Sequence, residues 1–103
     1  VWREEVFGPV VCIHTFKDAQ EAYDDVSSSP YHFEAAVFTQ SMPRALEAMK
    51  KLAAMTVVVN EATTFRVDAM PFGGHRQAGL GMGGVQYAVE ELTRLKQVII
   101  NGF

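Results

Sequence analysis

The side chains of this 103-residue sequence that could do chemistry are few, and several crowd around one glycine-rich stretch, Phe65 to Gly84 (FRVDAMPFGGHRQAGLGMGG). Six of the eight glycines lie between Gly73 and Gly84, with Arg66, Asp68, His75 and Arg76 around them. Glycine serves where a backbone must take positive φ or come very close to another group. Gly79, Gly81 and Gly84 have the G-x-G-x-x-G spacing and precede a helix-like run. That spacing cradles a pyrophosphate when a strand feeds directly into it and an acidic residue follows about 20 positions on. Here a long loop precedes it, and the acidic position falls on Val98 to Ile100. A turn or backbone-packing role is therefore expected for these glycines.

Cys12 and His14 are two residues apart in an apolar run and would share a strand face, so a Cys–His pair is geometrically open. Core packing is the expectation for a cysteine in such a run. His14, His32 and His75 show no ligand spacing with one another or with Cys12, so no metal site is expected. Asp24-Asp25 and Glu90-Glu91 are helix neighbours that diverge around the axis, which suits solvated faces better than acid–base pairs. The residues by themselves present no complete catalytic set.

The elements that must position these groups follow from periodicity. Gly8-Pro9 breaks the lead-in, and Val10 to Phe16 (VVCIHTF) has the β-branched and aromatic content of a strand. Asp18 with Glu21 forms a capping box, opening a helix that carries Ala22, Tyr23 and Val26 and ends in Ser27-Ser28-Ser29-Pro30. Ala35 to Phe38 is a short strand. Ser41 caps a second helix in which Pro43 sits in the tolerant first turn. Ala45, Met49 and Leu52 lie there at helical spacing, with Glu47 and Lys51 as a solvent-side pair. Thr56 to Val59 is a third strand. Beyond the glycine loop, Val85, Ala88, Val89 and Leu92 predict one buried helix face, and Leu95 to Asn101 a last strand.

The fold class is therefore α/β: a parallel β-α-β-α-β piece, a glycine-rich loop, a helix and a closing strand. Near-continuously apolar strands predict a sheet covered on both faces. The closing strand either extends the same sheet or pairs elsewhere, in another subunit. The length suits one domain, and 49% hydrophobic with 20% charged residues is globular composition. The net charge of −3 and the intermixed signs argue against nucleic acid or a membrane surface as partner. No apolar run approaches the roughly 18 residues of a membrane span, and no signal-peptide pattern opens the chain. One cysteine cannot form an internal disulfide, which suits a reducing, cytoplasmic setting. The chain opens at Val1 without a methionine, in the manner of a piece of something longer.

Two blocks carry a resemblance. Glu4-Glu5-Val6-Phe7-Gly8-Pro9 resembles the E-E-[IV]-F-G-P segment of the aldehyde dehydrogenase superfamily. Val59-Asn60, followed by Pro71-Phe72-Gly73-Gly74, Gly79 and Gly81, resembles that family's V-N … P-F-G-G-x-K-x-S-G-x-G block. The blocks stand in the family's order, and Leu95 to Gly102 resembles its C-terminal strand, so the likeness covers essentially the whole chain.

The resemblance implies that residues 1–94 belong to the C-terminal part of the catalytic domain and residues 95–103 to an oligomerisation-type strand. It implies NAD or NADP as cofactor, an aldehyde as substrate, and a homo-oligomer built through Leu95–Asn101. Glu5 corresponds to the glutamate that binds the nicotinamide-ribose hydroxyls, a task that suits an acceptor-only carboxylate. Phe7 corresponds to the aromatic beside the nicotinamide. Without the resemblance, Glu5 is a solvated loop charge and Phe7 an anchor beside Gly8-Pro9. Phe72 is a candidate wall of the aldehyde pocket, or plain packing. Arg66 is a candidate guanidinium for an anionic aldehyde, its alternative being a loop salt bridge with Asp68. The R-V-D-x-M-P-F-G-G form is similar to branches acting on small polar or acidic aldehydes.

The sequence also departs from the family. Arg76 stands where lysine is usual and Ala78 where serine is usual, so any hydroxyl hydrogen bond there is lost. The family's nucleophilic cysteine, glutamate base and oxyanion-hole asparagine precede the E-x-F-G-P segment, as does its Rossmann unit. Cys12 follows that segment, so no catalytic residue is assigned here and the isolated chain is expected to be inactive. The alternative is a non-catalytic assembly module dimerising through the apolar closing strand.

Overall fold

A computed structural model describes residues 4–102. Both capping signals operate as the sequence predicts. Asp18 Oδ1 accepts from the Glu21 amide at 3.0 Å and opens helix α1, Ala19–Ser28. Glu21 returns the bond, but to the amide of Lys17, one residue before the cap. Pro30 holds Ser29 in an extended conformation, and α1 stops there. Ser41 Oγ accepts from the Arg44 amide and caps α2, Met42–Lys51, with Pro43 in its first turn.

Between and after these helices run strands β1, Glu34–Val37, and β2, Thr56–Val59. They pair in parallel with Ala35 opposite Val57 and Val37 opposite Val59, α2 supplying the crossover. A buried cluster of Tyr23, Ala48 and Leu52 joins α1 and α2, with Ala35, Val37 and Val57 of the sheet packed against it. Lys51 Nζ donates to Gln20 Oε1 at 3.0 Å and ties the two helices together outside that cluster. The chain then forms a short antiparallel hairpin from β3, Phe72–Gly73, and β4, Met82–Gly83, around a 3-10 turn at Arg76–Ala78. Helix α3, Val85–Leu92, follows.

Several expectations are corrected. Residues 10–16 and 95–101 lie in no strand, because a strand exists only through a ladder partner and neither segment has one among the described residues. The leading strand of the expected β-α-β-α-β order and its closing strand are therefore absent from the described chain, and Cys12 is exposed, outside any core. The α2 face is also rotated. Ala45, Ala48 and Leu52 are buried while Met49 is exposed, and Ala48, at 0% exposure, lies at the centre of the buried face. Lys51 takes Gln20 where Glu47 was expected. On α3, Val85, Val89 and Leu92 are exposed, so the expected buried face is uncovered. Among the described residues the helices pack on the sheet face that bears Ala35, Val37 and Val57, and Ala36 on the other face is exposed, so the expected cover on both faces is not found.

These corrections share one consequence. The radius of gyration is 19.2 Å, with extents of 74 × 34 × 23 Å, against about 13 Å for a compact chain of about 100 residues. No helix among the described residues is long and apolar enough to cross a membrane.

Candidate active-site segment

The β3–β4 hairpin is shaped by glycine at positions where no side chain fits. A Cβ on Gly74 would land on the backbone of Gly79, and one on Gly73 on the carbonyl oxygen of Gly81. Gly81 and Gly84 adopt φ of 73° and 124°, in the region that favours glycine. Gly84 caps α3 without any side-chain hydrogen bond. The G-x-G-x-x-G run follows the 3-10 turn and is spent on backbone packing and turning, as expected.

This hairpin holds Phe72 at the edge of a cleft of about 470 Å³. The cleft lies against Glu34 and Thr56, the first rung of the β1–β2 pair, on the side away from the helices. Its other wall is the loop after β2, which contributes Thr63, Thr64 and Arg66. The Arg66 guanidinium lies 4.4 Å from the centroid of the Phe72 ring. Phe33 meets the same ring edge-on, at 6.1 Å and 84°. The cation over the ring and the T-shaped aromatic contact each suit the quadrupole of the ring. Among the described residues no ion pair joins Arg66 to Asp68, so the expected alternative for Arg66 is not what the fold adopts. Among the described residues the Arg66 guanidinium makes no ion pair.

Arg66 and Phe72 are therefore brought together, whereas Glu5 and Phe7 are not brought to them. Glu5 lines a separate cleft of about 880 Å³ with Glu4, Cys12, Asp25 and Tyr31. Phe7 is 96% exposed and touches neither cleft wall. Beside the larger cleft, His14 Nδ1 lies 2.9 Å from Asp25 Oδ2, fastening the 10–16 segment to α1. His14 is thereby engaged with a carboxylate. Among the described residues no group of three or more His, Cys, Asp or Glu side chains could hold a metal.

Phe33 and the burial of His32 escaped the sequence reading. Phe33 lines both clefts, yet an isolated aromatic before a strand carries no periodic signal. His32 is buried at 4% exposure, with Nδ1 against the Ser29 carbonyl and its ring 5.7 Å from that of His75. Its Nε2 meets no partner among the described residues.

Comparison with known proteins bears on this geometry. The model of the aldehyde dehydrogenase family matches residues 1–98. An aspartate-semialdehyde dehydrogenase of Pseudomonas canavaninivorans is 39% identical over 101 residues, covering 98% of this chain and 22% of that protein. The NAD+ complex of an aldehyde dehydrogenase from Bacillus cereus superposes with a TM-score of 0.85 at 35% identity, over 96% of this chain and 20% of the other. A glyceraldehyde-3-phosphate dehydrogenase of Methanocaldococcus jannaschii, complexed with NADP, gives 0.74 at 38% identity, over 82% and 18%. The chain spans about a fifth of the length of the curated relatives it matches.

The glycine packing is directly testable. Gly74→Ala should prevent the hairpin from closing, because its Cβ meets backbone and no flexible side chain can yield. Amide hydrogen exchange at Gly73 and Met82 should rise by an order of magnitude or more, on the scale of a steric penalty of roughly 1–3 kcal/mol. Unchanged protection there would refute the contact.

Proposed function

Because the chain belongs to the aldehyde dehydrogenase family, we propose that it is the C-terminal portion of an NAD(P)-dependent enzyme that oxidises a small polar or acidic aldehyde to a carboxylic acid. The observation that carries the substrate class is the Arg66–Phe72 stack. It presents a guanidinium on the cleft with no carboxylate paired to it among the described residues. Glu34 opens onto the same cleft without an ion pair to Arg66. Thr63 and Thr64 add hydroxyl donors beside it. Aspartate semialdehyde and glyceraldehyde 3-phosphate, the substrates named for two of the relatives, are both aldehydes with an anionic end.

In this reading Phe72 walls the aldehyde site and Arg66 orients the anionic end of the substrate. Glu5 and Phe7 serve the nicotinamide end of the cofactor. The exposed carboxylate of Glu5 on the larger cleft suits diol binding, and the exposed ring of Phe7 offers an apolar face to a planar heterocycle. Bound NAD(P)+ supplies the hydride acceptor. Cys12 is not assigned as nucleophile, since it follows the E-E-V-F-G-P segment and lies exposed beside Glu4 and Glu5. The 103 residues alone therefore do not turn over. Purified chain incubated with an aldehyde and NAD+ or NADP+ should give no reduced cofactor, and measurable reduction would overturn this assignment.

For the full-length protein, Arg66→Ala should raise KM for an acidic aldehyde by about 10- to 100-fold while leaving a neutral aldehyde within about twofold, the scale of a lost charge-assisted hydrogen bond. Equal effects on both substrates would sink the acidic-aldehyde reading.

A second reading has its own observation. Leu95, Val98, Ile99 and Ile100 are exposed in succession and take part in no ladder among the described residues. An apolar segment of this kind suits an assembly strand that pairs with another copy. If so, Ile99→Lys should lower the oligomer size seen by sedimentation, whereas a chain whose size ignores the substitution does not assemble through this segment.

A further inference from the structure

The loop that delivers Arg66 to Phe72 is held at its start by Asn60. The Asn60 amide donates to the Val37 carbonyl at 2.8 Å, closing the last rung of β1–β2. Its side chain then pairs with the backbone of Thr39: Oδ1 accepts from the Thr39 amide at 2.8 Å and Nδ2 donates to the Thr39 carbonyl at 2.9 Å. A carboxamide here imitates a peptide group and carries the ladder one residue beyond the strand. Meanwhile the Asn60 backbone has already turned away, at φ 60°, a left-handed conformation that asparagine tolerates better than most residues. Thr39 is itself held, since its Oγ1 accepts from the Ser41 amide at the cap of α2.

Beyond Asn60, the backbone–backbone hydrogen bonds of residues 61–71 among the described residues stay within the loop, from Phe65 to Ala62 and from Met70 to Val67. The loop's fixed points are thus Asn60 at one end, β3 at the other, and the Arg66–Phe72 stack between them. We propose that Asn60 is the positioning residue for that stack, setting through its side-chain amide where the guanidinium stands on the cleft. The proposal rests on the reading of Arg66 given above. Glycine at this position keeps the backbone turn but removes both side-chain bonds. Aspartate keeps the acceptor for the Thr39 amide, loses the donor, and sets a carboxylate oxygen against the Thr39 carbonyl.

The test uses Asn60→Gly, Asn60→Asp, Arg66→Ala and the double variant Asn60→Gly/Arg66→Ala in the full-length protein. Hydrogen exchange in residues 61–71 should rise about tenfold in Asn60→Gly while α2 stays protected. KM for an acidic aldehyde should rise several-fold with kcat and the neutral aldehyde little changed, and Arg66→Ala should add nothing further in the double variant. Asn60→Asp should give the same pattern at smaller amplitude, which covers poor folding of the glycine variant. Unchanged exchange in the loop overturns the proposal. So does an equal rise in KM for both aldehydes, or multiplication of the two single effects. If Arg66→Ala alone fails to discriminate the aldehydes, the acidic-aldehyde reading falls, and loop exchange still decides for or against Asn60 as the anchor of the stack.

Discussion

A two-stranded parallel ladder does not hold itself together in water, so the arrangement depends on how closely α2 can lie against β1 and β2. Ala48 is the wholly buried residue of that packing, in a cluster with Tyr23 and Leu52. With the helices committed to the face bearing Ala35, Val37 and Val57, the Glu34–Thr56 rung is left to line a cleft. The strand exits at Thr39 and Asn60 then determine where the connecting loops leave. The site-bearing loop follows this packed unit in sequence and leaves it at Asn60.

Polar detail and aromatic stacking cooperate at the cleft. The Phe72 ring is edge-packed by Phe33 and face-packed by Arg66, so it is restrained from two directions. It is also carried on a hairpin whose glycines permit backbone contact. Among the described residues the guanidinium lies over the Phe72 ring, on the cleft, with no ion pair. Arginine is better suited to this than lysine, whose ammonium has no flat face to lay on a ring.

What was legible in the sequence was local. Asp18 and Ser41 were identifiable as caps because a cap is decided within four residues. The parallel pairing of β1 with β2 followed from a helix standing between two short apolar runs. The glycine block was recognisable as backbone packing because no strand fed it and no acid followed. What failed was anything that needed a partner. Among the described residues Val10 to Phe16 has strand composition yet no ladder, and Val85, Val89 and Leu92 form an apolar stripe that stays exposed. Periodicity reports that a face is apolar; it does not report what covers it. Met49 lost its expected burial to Ala48 for a related reason, since the sheet selects by size and spacing alone does not. The Arg66–Phe72 contact was half visible: both residues were candidates, but their stacking depends on a loop whose course no local rule describes.

The uncovered segments also bear on how this chain behaves in bulk. Val10 to Phe16 is seven residues of high β-propensity, without proline and with only His14 as a titratable base. Such windows are the raw material of intermolecular cross-β stacking whenever copies meet in the extended state. The charges flanking it, Lys17 and Asp18 on one side and Glu4 and Glu5 on the other, act as gatekeepers. The same holds at the far end, where Arg94 and Lys96 bracket the approach to Val98–Ile100. Charges therefore border both apolar runs, and rising ionic strength weakens the repulsion they exert between copies.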